Sequence, residues 1–308
     1  IAKGRRPGLA GTLGSGELGV GIGGDVTVWQ GKARTGATTV GTIRDFKELH
    51  YRHFNARETL EAAKAYEAHL DSGGRMLVSL AGAKSTGDMG ISLARMIREG
   101  KVHAITCTGA NLEEDLFNLI AHDEYEVVPN WRALSAADEV ALYERGMNRV
   151  TDTCIPEDVM RHIERRLVAL WAEAADSGER LFPFQYLYRL LASGAMEEHY
   201  QIDPENSWLL AAMTAGIPVY SPGWEDSTLG NIFSANVMLG NVAHHRSVKS
   251  GTEQFQHLIE WYLANHGGDE GRRSVGFFQI GGGIAGDFQN CVLPKLQQDL
   301  QRESFPVW

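Results

Sequence analysis

The chain has 308 residues, 43% of them hydrophobic and 22% charged, ordinary values for a globular protein with one large core or two smaller ones. A formal net charge of -10 argues against the basic face that nucleic-acid binding needs; it suits a cationic ligand, though mild acidity also simply serves solubility. Three scattered cysteines without a CxxC pair argue against a disulfide scaffold or a zinc ribbon, and no apolar run nears the roughly 18 residues of a membrane helix, so a cytoplasmic protein off the membrane is expected.

Residues 1–44 are dense in glycine from Gly4 to Gly41 and carry almost no helical or strand period. They read as a flexible or misannotated head, leaving 45–308 as the working domain. Leu60, Ala63, Tyr66 and Leu70 recur at helical spacing after Asn55, a residue suited to cap a helix, and Gly73-Gly74 end it. Arg75 to Leu80 then reads as a buried strand, followed by the polar turn Gly82 to Gly87 and a helix through Met89, Leu93 and Ile97. The unit recurs. Val102 to Cys107 runs into Thr108-Gly109-Ala110-Asn111 and a helix, Pro218 to Ser221 runs into Pro222 to Gly230, and Val275 to Ile280 runs into Gly281-Gly282-Gly283. Repetition of strand, polar loop and helix predicts an α/β fold, Rossmann-like, with a parallel sheet and helices on both faces. Between the second and third units, Glu157 to Trp171 predicts an amphipathic helix whose stripe of Val159, Met160, Ile163, Leu167, Leu170 and Trp171 packs the core. The last residues, Ser304 to Trp308, look like the cut start of a strand.

Ligands of open parallel sheets bind beyond the carboxyl ends of the strands. Four such ends here carry glycine, which lets a ligand approach the backbone, and precede helix starts, which favour phosphate. The first loop offers Ser85 and Thr86. The second offers Thr108 and Gly109, then Glu113, Glu114 and Asp115, acids that either satisfy the helix dipole or pair with an amine. The third gathers Trp224, Glu225, Asp226, Ser227 and Thr228, either an aromatic wall beside carboxylates for an ammonium group or a plain helix cap. The fourth, Gly281-Gly282-Gly283, departs from GxGxxG. The histidine pairs His50/His53 and His244/His245 lack neighbours at ligand spacing, so no metal site is expected, and no GxSxG stands out.

Taken together the loops are more specific than any one of them. Thr108-Gly109-Ala110-Asn111-Leu112-Glu113-Glu114-Asp115 resembles the "TAGG-x-EED" segment of deoxyhypusine synthases. Met147-Asn148-Arg149 with Ile155-Pro156 is similar to the family's "NR…P". Ile217 to Pro222 with Asp226 to Gly230 is similar to "IPV-x-SP…DGSLG", and Ile280 to Gly283 to "LGGG". Order and spacing agree from about Phe46 onward, nearest to the bacterial deoxyhypusine-synthase-like branch. The resemblance implies a homotetramer that binds NAD. It also implies aminobutyl transfer from spermidine, through an enzyme lysine, to a protein lysine or to a polyamine such as putrescine, giving homospermidine.

By position, the resemblance assigns Thr108, Gly109, Asp226, Gly281 and Gly282 to NAD, with Ser85 and Thr86 near the first cofactor loop. Glu114 would be the catalytic carboxylate beside polyamine and nicotinamide. Trp224, Asn231 and Asp287 complete the expected substrate set, although Asn231 stands where the family has Asp and Asp287 where it has His. The family's nucleophile lies in a "WGK" segment that Lys295 does not match, so the domain is expected to be C-terminally incomplete. The rival expectation is a non-catalytic NAD-binding chain.

Overall fold

The structure, a computed structural model, describes residues 41–267 and 274–302. All but the last four residues of the expected glycine-rich head, and the expected strand start at 304–308, lie outside the described residues. The chain divides into two units, ending at Ala62 and starting at Ala63. In the first, α1 (Ile43–His50) opens on a reciprocal cap. The Asp45 N–H donates to the Thr42 hydroxyl at 3.2 Å, and the Thr42 N–H donates to the Asp45 carboxylate at 2.8 Å. Helix α2 (Phe54–Asp71) begins one residue before the expected cap, so Asn55 sits in its first turn.

The second unit runs β1 (Arg75–Leu80), α3 (Gly90–Arg98), β2 (Ala104–Cys107), α4 (Gly109–Ala121), β3 (Glu126–Val127), α5 (Ala136–Glu144), β4 (Met147–Val150), β5 (Thr153–Pro156) and α6 (Glu157–Ser177). It continues with α7 (Pro183–Ala192), α8 (Trp208–Ala215), β6 (Val219–Tyr220), α9 (Thr228–Met238), α10 (Gly251–Asn265), β7 (Val275–Ile280) and α11 (Ile284–Asn290). Four strands form a parallel sheet in the order β6-β2-β1-β7, with Leu80 level with both Cys107 and Ile280. This is the parallel sheet that the repeated strand–loop–helix pattern predicts.

Alternation along the strands explains why both faces are covered. Val78, Leu80, Ile105, Cys107 and Val219 face one way, into a core shared with α3, α4 and α6 to α9. Leu77, Ala104 and Tyr220 face the other way, onto Leu258, Ile259 and Tyr262 of α10 and onto Val292 and Leu296. The predicted amphipathic helix is α6, and it runs on through Ala174 and Ala175 until Gly178 ends it in a left-handed conformation at φ 74°. Its Leu170 is only partly buried.

A second, antiparallel sheet in the order β3-β5-β4 has no counterpart in the sequence reading. Its strands are two to four residues long, and Met147-Asn148-Arg149-Val150 is half-buried throughout. Such short mixed runs carry neither the alternation nor the continuous apolarity that marks a strand.

Candidate functional site

All four glycine-bearing loops follow the carboxyl ends of the parallel strands. From β1 the chain moves to β2 and then β6, and later returns to place β7 on the other side of β1. The connections therefore diverge between β1 and β7, and the crevice outside that point is where open α/β sheets take ligands. Backbone bonds draw the loops together there. The Ala81 N–H donates to Ile280 O at 3.0 Å, and the Thr108 N–H donates to Leu80 O at 3.2 Å. The Thr108 hydroxyl donates to Gly82 O at 2.7 Å. Gly281 turns at φ +89°, and a Cβ on it would lie 2.9 Å from the Ala81 Cβ, so this position needs glycine both for its backbone and for its space.

The three acids of α4 are all buried, and the structure gives them different tasks. The Glu113 carboxylate accepts the N–H groups of Thr228 at 3.0 Å and Leu229 at 2.8 Å, capping α9 from another helix. Asp115 does the same for α8. It accepts the Ser207 hydroxyl at 2.6 Å, the Leu209 N–H at 3.0 Å and the Trp208 N–H at 3.4 Å. Glu114, 5% exposed, receives only the long Thr86 N–H contact at 3.4 Å. Burial pushes its carboxyl up to about 7, against the opposing pull of Thr86. Burial likewise raises Asp115 to about 6, offset in part by Ser207 and the α8 backbone.

Glu114 lines a cavity of about 300 Å³ together with Asn148, Glu157, Arg161, Thr228 and Asn231. The Asn148 amide donates to Glu157 at 2.7 Å, and Arg161 pairs with the same carboxylate at 2.8 Å. Glu157 is thus already balanced by a cation, whereas among the described residues no cation pairs with Glu114. The cavity, which Glu113 also lines, thus presents a weakly bonded buried carboxylate and amide groups at its wall, chemistry that an ammonium can meet.

The expected site residues divide by place. Asn231 stands on the Glu114 cavity, with its amide donating to Glu225 O at 2.9 Å and Ser227 O at 2.8 Å. Thr86 touches Glu114. Thr108, Asp226, Gly281 and Gly282 lie on the loops at the carboxyl ends, with Asp226, Gly281 and Gly282 exposed. Ser85 is buried, its hydroxyl donating to Asn111 O at 2.7 Å and accepting from the Trp208 indole N–H at 3.0 Å, so it belongs to the wall of the loop. Gly109 is a packing position, because a Cβ there would lie 2.6 Å from the Ser227 Cβ.

Trp224 corrects the sequence reading. It does not form an aromatic wall for an ammonium. Its ring is buried, 6.5 Å from Trp171 and 5.5 Å from Phe233 between centroids, because a large apolar ring gains more from the core than from an acidic loop. Asp287 does not join Glu114. It lines a separate cavity of about 490 Å³ with Thr252, Phe255, Ile284, Phe288 and Cys291. Lys295 is tied to Asp299 at 2.9 Å. Sequence reasoning missed the hub role of Asn111 and the place of Glu157 on the cavity. Neither residue type signals such a role without its neighbours. No group of three His, Cys, Asp or Glu side chains among the described residues can hold a metal ion.

The fold and site define a doubly covered parallel-sheet α/β protein with glycine-bearing loops beyond the strand ends and a buried acidic cavity that Glu114 lines. The family model "DS: Deoxyhypusine synthase" matches residues 44–296, and the chain belongs to the deoxyhypusine synthase family. It is 24% identical over 262 residues to a deoxyhypusine synthase-like protein of Chlorobaculum parvum, covering 84% of this chain and 68% of that protein. A probable deoxyhypusine synthase 1 of Archaeoglobus fulgidus is 25% identical over 240 residues, covering 76% of this chain and 68% of that one. Against a deoxyhypusine synthase-like protein of Caulobacter vibrioides the chain covers 60% of the relative's length. Among solved structures, a putative deoxyhypusine synthase from Entamoeba histolytica superposes with a TM-score of 0.45 at 11% identity, covering 68% of this chain and 58% of that one.

Proposed function

We propose that this protein is an NAD-dependent transferase that moves the aminobutyl group of spermidine to an acceptor amine, either a protein lysine or a polyamine such as putrescine. The observation that carries the reading is Glu114. Of three adjacent buried acids it alone is not consumed by a helix cap, and it faces a cavity. Near neutral pH it holds a proton part of the time. An arriving ammonium favours its charged form and so releases that proton. Asn148 and Asn231 supply amide groups that orient the amine chain along the cavity.

The loops after β1 and β7 are the proposed place of the dinucleotide. In support, Gly82 and Gly282 have open space where a side chain would stand, and Thr108 and Asp226 lie on the loops after β2 and β6 at the same carboxyl ends. The start of α9 is not available for a phosphate, because Glu113 already takes its N–H groups. In this reading Thr108, Gly281 and Gly282 hold the cofactor with Asp226. NAD supplies the hydride acceptor when bound. Assembly as a cytoplasmic homotetramer belongs to the same proposal.

Incubation of the protein with NAD and spermidine, with and without putrescine, tests the reading by product analysis. Release of 1,3-diaminopropane with formation of homospermidine supports a polyamine-acceptor transferase. Absence of any product, with NAD binding intact by calorimetry, replaces it with a binding-only chain.

A further inference from the structure

We infer that Asn111 is a positioning residue of the cofactor crevice, the side chain that ties the end of β1, the turn after it and the cap of α4 to one another. The inference rests on the NAD reading for its functional consequence, but not for its structural one.

Asn111 sits in the first turn of α4 and is fully buried. Its carboxamide is used from both ends. The carbonyl oxygen accepts the backbone N–H groups of Lys84 at 2.7 Å and Ser85 at 3.0 Å. The NH₂ group shares its two hydrogens among Leu80 O at 3.2 Å, Gly82 O at 2.5 Å and the Thr108 hydroxyl at 2.9 Å. One planar group therefore reads the end of β1, the turn beyond it and the cap of α4 at once. The backbone carbonyl of the same residue accepts the Ser85 hydroxyl. An amide is the side-chain type that offers a donor end and an acceptor end in one plane. Neither a hydroxyl nor an ionised carboxylate can do both across that width.

The consequence follows from what the loop borders. Gly82, whose carbonyl the amide holds, lies at the crevice between β1 and β7, and Thr86 meets Glu114 only two residues past Lys84. Release of the Lys84 and Ser85 N–H groups leaves one half-buried and one buried donor unpaired and frees the segment between the crevice and the Glu114 cavity. Glu114 keeps its own position on α4, so the defect falls on cofactor binding more than on turnover.

Two variants and two readouts test this. In Asn111→Ala, amide hydrogen exchange at Lys84 and Ser85 is expected to quicken at least about tenfold, and the NAD dissociation constant to rise about tenfold, with exchange in α10 unchanged. Asn111→Leu keeps a side chain of similar size and removes both the acceptor and the donor end, so exchange at Lys84 and Ser85 is expected to quicken as it does in the alanine variant. A purely packing role would leave exchange in Asn111→Leu at the wild-type rate. Unchanged exchange at Lys84 and Ser85 in Asn111→Ala overturns the positioning role, whether or not the protein binds NAD. So does wild-type exchange at Lys84 and Ser85 in Asn111→Leu, which also decides the matter if the alanine variant fails to fold. Failure of the wild type to bind NAD would refute the cofactor reading alone, and the exchange result would still decide the role of Asn111.

Discussion

Three consecutive acids on one helix turn look interchangeable as text, yet only Glu114 is left with weak internal hydrogen bonding and a cavity in front of it. Its folded pKa lies above the ordinary carboxylate value, so the folded state binds the proton more tightly than the unfolded chain does. By linkage, folding stability then falls as pH rises from about 4.5 to about 7. Glu114→Gln removes that dependence. Thermal unfolding should show the variant equal to the wild type near pH 4 and more stable at pH 8, by a difference on the order of 3 kcal/mol. The same variant should lose the tightening of amine binding expected as pH rises through about 7. A variant whose stability tracked the wild type at every pH would show that Glu114 is solvated. The motif made Glu114 legible as a candidate, but the choice among the three acids was not legible, because helix caps supplied by other helices have no local signature.

At the scale of elements, α4 organises its neighbours by lending them acids. Glu113 closes the start of α9 and Asp115 the start of α8, so two helices more than ninety residues away are seated by one. Asp115→Ala would leave the Ser207 hydroxyl and the Leu209 N–H without their partner in a dry environment. A loss of about 2–3 kcal/mol in urea unfolding at pH 7 is expected. A loss below about 0.5 kcal/mol would mean that α8 is capped some other way. The four parallel strands were readable from their short runs before glycine-bearing loops, and β1 and β7 begin and end where those runs do. The β3-β5-β4 sheet was not, since it is held by cross-strand pairing of half-buried, mixed segments rather than by any pattern within them.

Across the larger unit, one core cluster joins the sheet face to α6, α7 and α9, and Trp171 stands inside it. Its ring lies 5.1 Å from Phe233 and 6.3 Å from Tyr186 between centroids, and it is 2% exposed. Trp171→Ala should cost about 3–5 kcal/mol by denaturant unfolding, because the site cannot collapse around so large a void. A cost under about 1 kcal/mol would show that the aromatic cluster is loosely packed.

Local pattern was enough to settle the class of fold, the parallel strands, the amphipathic α6 and the family, because periodicity and loop motifs are carried by neighbours in sequence. The tertiary structure alone decided the rest. It sent Trp224 to the core, kept Asp287 on a cavity apart from Glu114, put Ser85 in a wall, and made Asn111 a hub. Each of these depends on which buried groups compete for the same hydrogen bonds and the same dry space. That competition is among residues up to a hundred or more positions apart, and it is resolved only when the chain has packed.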